Sequence, residues 1–144
     1  MDVKALLGEG PSWDAKSGKL YWVDILCNRL YVLEPSSGCQ SVYDFDQTIS
    51  AIVPRKIGGL MAVTEKGYHS LSLKDGKLIP IYDPEETMTN SRFNDGKCDP
   101  QGRFWAGTKD LEDTPGRGSL YRLDSDYSCR TMIPNVTISN GLAW

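Results

Sequence analysis

Length, composition and charge limit the kinds of protein that this chain can be. It has 144 residues, a formal net charge of −3 and 40% apolar residues, which suffice for one domain with an apolar core. Charges of both signs are scattered along it, so no basic patch indicates nucleic-acid binding, and no apolar run can span a bilayer. The first residues also lack the apolar core and cleavage site of a secretory signal, so we expect a cytoplasmic protein.

Three units of short, strand-like segments follow one another along the chain. Most segments are rich in aromatic and β-branched residues, and turn residues such as glycine and proline bound them. In chain order the predicted strands are GEGPSW at 8–13, GKLYWVD at 18–24, NRLYVLEP at 28–35, SAIVP at 50–54, GLMAVTE at 59–65, GYHSLSL at 67–73, NDGKCD at 94–99, GRFWAGT at 102–108 and GSLYRLDS at 118–125. A last segment, ISNGLAW at 138–144, repeats the start of a unit.

The spacing of these units predicts the architecture. Gly18, Gly59 and Gly102 open equivalent strands and stand 41 and 43 residues apart. A repeat of roughly 40–45 residues with about four short strands is typical of a β-propeller blade. No segment has convincing helical periodicity, which excludes helical repeats of similar length, and a β-sandwich does not give so regular a unit. The sequence therefore predicts an all-β propeller.

Four polar residues recur just upstream of the strands that those glycines open. They are Glu9, Ser50, Asn94 and Asn140. Because the first strand of every blade lines the central channel, we expect these side chains to converge on one mouth of it. Carboxylate and amide oxygens suit a hard divalent cation such as Ca²⁺, Mg²⁺, Mn²⁺ or Zn²⁺. The alternative, that the two Asn-containing segments are ordinary turns, stays open.

Several longer segments resemble the signature of the SMP-30/gluconolactonase/regucalcin family, which includes luciferin-regenerating-enzyme-like lactonases. They are GEGPSWD at 8–14, SRFNDGKCDPQGRFWAGT at 91–108, GSLY at 118–121 and ISNGLAW at 138–144, in the order that the family has them. The resemblance extends from about residue 7 to the last residue. It implies a six-bladed β-propeller, of which residues 1–144 supply a truncated N-terminal half, about three blades plus the first strand of a fourth.

The resemblance also implies roles for five residues. Glu9 and Asn140 match two ligands of the family's metal ion, expected here to be Ca²⁺ or Zn²⁺, with Mg²⁺ and Mn²⁺ as alternatives. Arg92 and Asn94 match residues that contact the substrate. Glu112 matches a further substrate contact, with the assignment open to a shift of one residue along its loop. The family's third ligand, an Asp that also serves as general base, lies beyond the end of this chain, so the catalytic residue is unknown.

The implied activity is metal-assisted hydrolysis of a small sugar lactone. Since the third ligand is missing, we expect the isolated chain to be incomplete unless a second half-propeller chain or a homodimer supplies the remainder. Two alternatives stay open. One is a non-catalytic propeller fragment that binds calcium or a protein partner, and the other is a luciferin-regenerating or organophosphate-hydrolysing relative.

Other conspicuous residues have structural interpretations. His69, the single histidine, is in a predicted outer strand, where we expect a surface or packed residue and not a catalyst. Asp95 and Asp99 are expected to brace their loop and turn. The acidic segment at 83–86 is expected to be a solvated loop, with a second calcium site as the alternative.

Overall fold

The computed structural model describes residues 3–144, which form twelve β-strands. These residues include no helix, and therefore none that could cross a membrane. The strands are β1 (Gly8–Asp14), β2 (Lys19–Asp24), β3 (Arg29–Glu34), β4 (Cys39–Asp44), β5 (Ile49–Pro54), β6 (Leu60–Thr64), β7 (Gly67–Ser72), β8 (Lys77–Tyr82), β9 (Ser91–Cys98), β10 (Phe104–Asp110), β11 (Gly118–Leu123) and β12 (Cys129–Val136).

The strands form three separate four-stranded sheets, β1–β4, β5–β8 and β9–β12. Within each sheet every strand pairs antiparallel with its neighbours along the chain, so each sheet is a simple meander. A four-stranded antiparallel meander that repeats along the chain is the blade of a propeller. The structure thus confirms the prediction of an all-β chain that supplies about three blades. We call the three sheets blades 1, 2 and 3.

The hairpin turns explain why the strands end where they do. Gly18 and Gly38 both have positive φ angles, of 65° and 69°, which glycine adopts without steric cost. Their N–H groups donate to the carbonyls of Asp14 and Glu34, at 2.8 and 2.9 Å, and close the first and third turns of blade 1. Gly18, one of the three glycines from which the repeat was recognised, therefore marks a hairpin turn.

The apolar core lies between blades and not inside a single one. Between blades 1 and 2 the buried residues are Tyr21, Val23, Ile25, Leu30, Val32, Ile49, Ile52, Leu60, Ala62 and Leu71. Between blades 2 and 3 they are Ala51, Val53, Met61, Val63, Tyr68, Phe93, Phe104, Ala106, Tyr121 and Leu123. Burial of these facing surfaces is the main favourable term that holds neighbouring sheets together.

The segment after β12 forms no further regular strand. Ile138 makes one isolated antiparallel bridge to Lys109 of β10. At its end, the Trp144 ring lies 5.1 Å from the Trp105 ring, centroid to centroid. The residues predicted to start a fourth blade therefore lie against blade 3.

Two structural interpretations can be compared with the observed burial. His69 is buried, and its Nδ1 lies 3.1 Å from the carbonyl oxygen of Gly67. Burial lowers the pKa of this histidine, which is a packed residue of β7, as predicted. The expectation for the acidic segment is wrong at Glu85, which is only 7% exposed because its carboxylate is enclosed by hydroxyl donors of blade 3.

Candidate functional site

The first strands of the three blades, β1, β5 and β9, pack side by side and line one pocket. Its volume is about 560 Å³, and its walls are residues 9–13, 52–54, 95–98 and 140–142. Glu9 and Asn140, which are 131 positions apart in the sequence, therefore both line this pocket. Glu9 lies on the inner strand β1, whereas Asn140 lies in the segment that follows β12.

All three inner strands are irregular close to the predicted site positions. In β5 the register shifts between Ile49 and Ala51, which makes Ser50 the extra residue of a bulge. In β9 the corresponding shift leaves Asn94 as the extra residue, and in β1 the register shifts between Glu9 and Ser12. Bulges bend a strand and redirect its side chains, and they are common next to binding sites. Ser50 itself is buried and donates from Oγ to the Phe93 carbonyl at 2.6 Å, so it joins β5 to β9.

Two residues of β9 hold the chain on both sides of Asn140. Asn94 donates from Nδ2 to the carbonyl oxygen of Ser139, at 3.0 Å. On the other side, the N–H of Gly141 donates to Asp95 Oδ2, at 2.8 Å. Asp95 therefore has a bracing role, as predicted, but it lies within β9 and braces the segment that carries Asn140 instead of a loop of its own. Asn94 does not line the pocket itself, and its observed contact is to the segment that carries Asn140.

A close approach at Gly107 completes this arrangement. A Cβ atom at position 107 would overlap the side chain of Ser139. The segment that carries Asn140 can therefore lie against β10 only because residue 107 has no side chain. This gives the glycine of the AGT sequence at 106–108 a steric explanation.

Arg92 lies beside Asn94 at the start of β9. Its Nη1 donates to the Phe93 carbonyl at 2.8 Å and to Asn94 Oδ1 at 3.1 Å. Burial lowers the pKa of Arg92, whereas the negative charges of Asp113 and Glu9 act in the opposite direction. The guanidinium thus lies within the electrostatic field of the predicted metal ligand Glu9.

In the loop between β10 and β11, the carboxylate whose charge acts on Arg92 is that of Asp113 and not that of Glu112, the predicted substrate contact. Glu112 is exposed and is not among the pocket residues, and its N–H donates to Asp110 Oδ1 at 3.0 Å. Asp113, the next residue, is the carboxylate of this loop whose charge acts on Arg92, and it also pairs with Lys109. A substrate contact by Glu112 stays a prediction.

Asp110 is a site-forming residue that the sequence analysis did not identify. It is buried, and its carboxylate accepts hydrogen bonds from Asn90 Nδ2 at 3.0 Å and from Thr114 Oγ1 at 2.8 Å. The hydrogen bond from Thr114, followed by others, lowers its pKa. Asp110 thereby ties the residue before β9 to the loop that follows β10. The sequence gives little indication of this role, because an Asp at the end of a strand is also typical of an ordinary turn.

The donor atoms in the pocket fit a hard divalent cation, but the set is small. A carboxylate from Glu9 and an amide oxygen from Asn140 are ligands of the kind that Ca²⁺ and Mg²⁺ prefer. Asp95 adds a third oxygen-bearing side chain, whose two oxygens already accept hydrogen bonds from Gly96 and Gly141. Within residues 3–144 no three His, Cys, Asp or Glu side chains come close enough together to hold a metal ion.

Comparison with known proteins defines the family. The sequence model described as the SMP-30/Gluconolactonase/LRE-like region matches residues 7–144. The 6-deoxy-6-sulfogluconolactonase of Pseudomonas putida is 34% identical over 97% of this chain and 48% of its own length. This chain therefore belongs to the SMP-30/gluconolactonase/LRE-like family.

Solved structures agree with this assignment. A luciferin-regenerating enzyme superposes with a TM-score of 0.90 at 33% identity, covering 96% of this chain and 48% of that one. A calcium-binding regucalcin from Agrobacterium tumefaciens superposes with a TM-score of 0.90 at 27% identity, covering 96% and 46%. The chain spans about half the length of the curated relatives that it matches.

Proposed function

We propose that this chain is the N-terminal half of a metal-dependent sugar lactone hydrolase of the gluconolactonase type. The observation that carries the proposal is the meeting of Glu9 and Asn140 in one pocket, with Arg92 and Asn94 connected to the same segment. The similarity to the 6-deoxy-6-sulfogluconolactonase of Pseudomonas putida supports the reaction class. The similarity to the calcium-binding regucalcin of Agrobacterium tumefaciens supports a divalent ion.

In the proposed reaction each named residue has a separate task. Glu9 and Asn140 would hold a divalent ion, Ca²⁺ or Zn²⁺ with Mg²⁺ and Mn²⁺ as alternatives, and when bound this ion would supply Lewis-acid polarisation of the lactone carbonyl. Arg92 and Asn94 bind and orient the sugar hydroxyls through hydrogen bonds. Glu112 is a further substrate contact, and the negative charge of Asp113 on the same loop favours the charged form of Arg92 by raising its pKa.

The water that attacks the lactone needs a general base, and we assign none within this chain. We propose that a second half-propeller chain, or a second copy of this chain, completes the site. Trp144, whose side chain is 58% exposed where it packs on the Trp105 ring of blade 3, is an apolar surface that such a partner would cover.

A second candidate is a calcium-binding module without catalysis. It is favoured by the small ligand set, since Glu9 and Asn140 are candidate ligands for an ion but neither is assigned as a base that activates water. A third candidate is a luciferin-regenerating activity, because a luciferin-regenerating enzyme shares the same architecture.

The test of the proposal is pH-stat hydrolysis of gluconolactone by the purified chain against a spontaneous blank, with Ca²⁺, Zn²⁺ or EDTA added. We expect hydrolysis above the blank that EDTA abolishes and either ion restores. Sedimentation velocity on the same sample decides whether the active species is larger than one chain. Metal binding without hydrolysis, in monomer and assembly alike, would instead establish the calcium-binding module.

A further inference from the structure

A buried carboxylate lies outside the candidate pocket. Glu85, in the loop between β8 and β9, is 7% exposed, and no cation in the described part of the chain forms an ion pair with it. Its oxygens accept hydrogen bonds from hydroxyl groups instead. Oε1 accepts from Thr108 Oγ1 and from Tyr121 OH, both at 2.8 Å, and Oε2 accepts from Ser91 Oγ.

We call Glu85 and its three hydroxyl donors, Ser91, Thr108 and Tyr121, the anchor, because these hydrogen bonds hold the loop strongly in place. A buried carboxylate is costly unless hydrogen bonds compensate the loss of water, and hydroxyl hydrogen bonds to a charged oxygen are among the stronger ones in proteins. The three donors come from β9, β10 and β11, so one side chain fastens the loop to three strands of blade 3. Burial, followed by the hydrogen bond to Glu85, raises the pKa of Tyr121, so the phenol keeps the proton that it donates.

The anchor accounts for two sequence segments that the proposed reaction leaves unexplained. Thr108 ends the AGT sequence at 106–108, and Tyr121 ends the GSLY sequence at 118–121. Neither residue lines the candidate pocket. The hydroxyl groups of both residues donate hydrogen bonds to the buried carboxylate of Glu85. These two positions therefore have the same structural role.

The third donor connects the anchor to the candidate site. Ser91 is the first residue of β9, and Arg92 follows it directly. Arg92 in turn donates to Asn94, which holds the segment that carries Asn140. Because hydroxyl donors carry no charge, the anchor introduces no cation that would compete with Arg92 for substrate oxygens.

We propose that Glu85 is a positioning residue, which fixes the start of β9 so that Arg92 and Asn94 are held in their observed geometry. This role rests on the proposed function only for its effect on lactone hydrolysis. Its structural part, the fixing of the backbone at 91–94, holds whether or not the chain is an enzyme.

The informative variant is Ser91→Ala, which removes one donor and leaves Thr108 and Tyr121 on Glu85. Loss of one charge-assisted hydrogen bond should speed amide hydrogen exchange at residues 91–94 about tenfold, since a loss of about 1.4 kcal/mol corresponds to that factor. In the pH-stat assay KM for gluconolactone should rise several-fold, with kcat changed less, because misplaced Arg92 and Asn94 side chains bind the substrate less tightly. Exchange is read by mass spectrometry on the full chain.

Two further variants separate positioning from general stability. Tyr121→Phe removes another donor to the Glu85 carboxylate, one that lies on β11. Tm should therefore fall, as in Ser91→Ala, while amide hydrogen exchange at residues 91–94 stays at the wild-type rate. Ser37→Ala removes a hydroxyl bond to Glu34 Oε2, 2.8 Å long, from an exposed turn and should change neither property.

Three outcomes overturn the proposal. They are unchanged exchange at 91–94 in Ser91→Ala, equal acceleration there in Tyr121→Phe, and faster exchange without any change in KM. A wild-type chain that hydrolyses no lactone counts against the proposed function alone, and the exchange comparison between Ser91→Ala and Tyr121→Phe then decides the role of Glu85 by itself.

Discussion

Asp99, in the turn between β9 and β10, is a side chain whose charge is closely tied to the fold. Its carboxylate accepts hydrogen bonds from Trp105 Nε1 at 2.9 Å and from the backbone N–H groups of Gln101 and Arg103 at 3.0 and 2.9 Å. It also pairs with the Arg103 guanidinium. Burial alone raises the pKa, but these contacts outweigh it and lower the pKa of Asp99 to about 2. Asp99 therefore braces its turn, as the sequence analysis predicted.

This shift predicts a specific loss of stability in acid. Because the pKa of Asp99 is lower in the folded chain than in the unfolded one, its charge stabilises the fold above pH ~4, and that contribution disappears as the pH falls towards ~2. We expect Asp99→Asn to have a lower urea midpoint than the wild type at pH ~5 and to lose less of it on acidification. An equally steep acid dependence in both proteins would contradict this role of Asp99.

The sequence allowed only some of these residue roles to be predicted. Asp99 was recognisable because it lies in a local turn with partners close in the chain. Asp95 was recognisable as a bracing residue, but its position inside β9 was not, although its partners are the next residue and the recurring segment at 138–144. Glu85 was not recognisable, because an acidic loop residue normally faces water. Its burial depends on Thr108 and Tyr121, which lie 23 and 36 positions further along the chain.

At the level of strands and loops, β10 determines where the segment carrying Asn140 can lie. Gly107→Ala should displace that segment, because the new methyl group and the Ser139 side chain cannot occupy the same space. We expect Ca²⁺ affinity to fall about tenfold, as for the loss of a group that orients a metal ligand. Calorimetric titration of the metal-free protein measures this.

Gly38→Ala is the matched control for that prediction. Gly38 has a positive φ angle of 69° in the turn between β3 and β4, and no atom lies near the position of an added Cβ. The change should cost about 1 kcal/mol of stability through backbone strain and leave Ca²⁺ affinity unaltered. Equal loss of Ca²⁺ affinity in both variants would show that Gly107 acts only through stability.

The elements were predictable to different degrees. The first three strands of each blade were identified because glycine turns and apolar residues recur at a fixed spacing. The outermost strands β4, β8 and β12 were not, since they are largely exposed and lack a clear alternation of apolar and polar residues. The bulges at Ser50 and Asn94 also escaped prediction, because a register shift depends on how two strands pair and not on one strand alone.

At the level of the whole molecule, stability depends on the surfaces between blades. Phe93 is 2% exposed between blades 2 and 3, and its ring contacts Tyr68 edge-on with centroids 5.1 Å apart. Phe93→Ala should lower the free energy of unfolding by about 3–5 kcal/mol, whereas Ile57→Ala, at an 83% exposed side chain, should change it by less than about 0.5 kcal/mol. Urea denaturation followed by tryptophan fluorescence gives both values, and comparable losses would refute the importance of this interface.

The architecture and the family were the most predictable features, because the repeat and the long motif at 91–108 extend over most of the chain. Of the four residues that the same repeat predicted at one mouth of the channel, Glu9 and Asn140 line the pocket, whereas Ser50 and Asn94 do not. That the site is incomplete within this chain stays a prediction, and the sequence does not identify a partner that would complete it, since the chain spans about half the length of its relatives.

The central claim is that Glu9 and Asn140 hold one divalent ion while Arg92 and Asn94 serve the substrate. The most direct test is calorimetric titration of Ca²⁺ and Zn²⁺ into the metal-free wild type, Glu9→Gln and Asn94→Ala, with Glu65→Gln, an exposed turn residue, as control. We expect Glu9→Gln to weaken binding more than about tenfold, Asn94→Ala to weaken lactone turnover more than ion binding, and Glu65→Gln to match the wild type. Equal ion affinity in the wild type and Glu9→Gln would contradict the account.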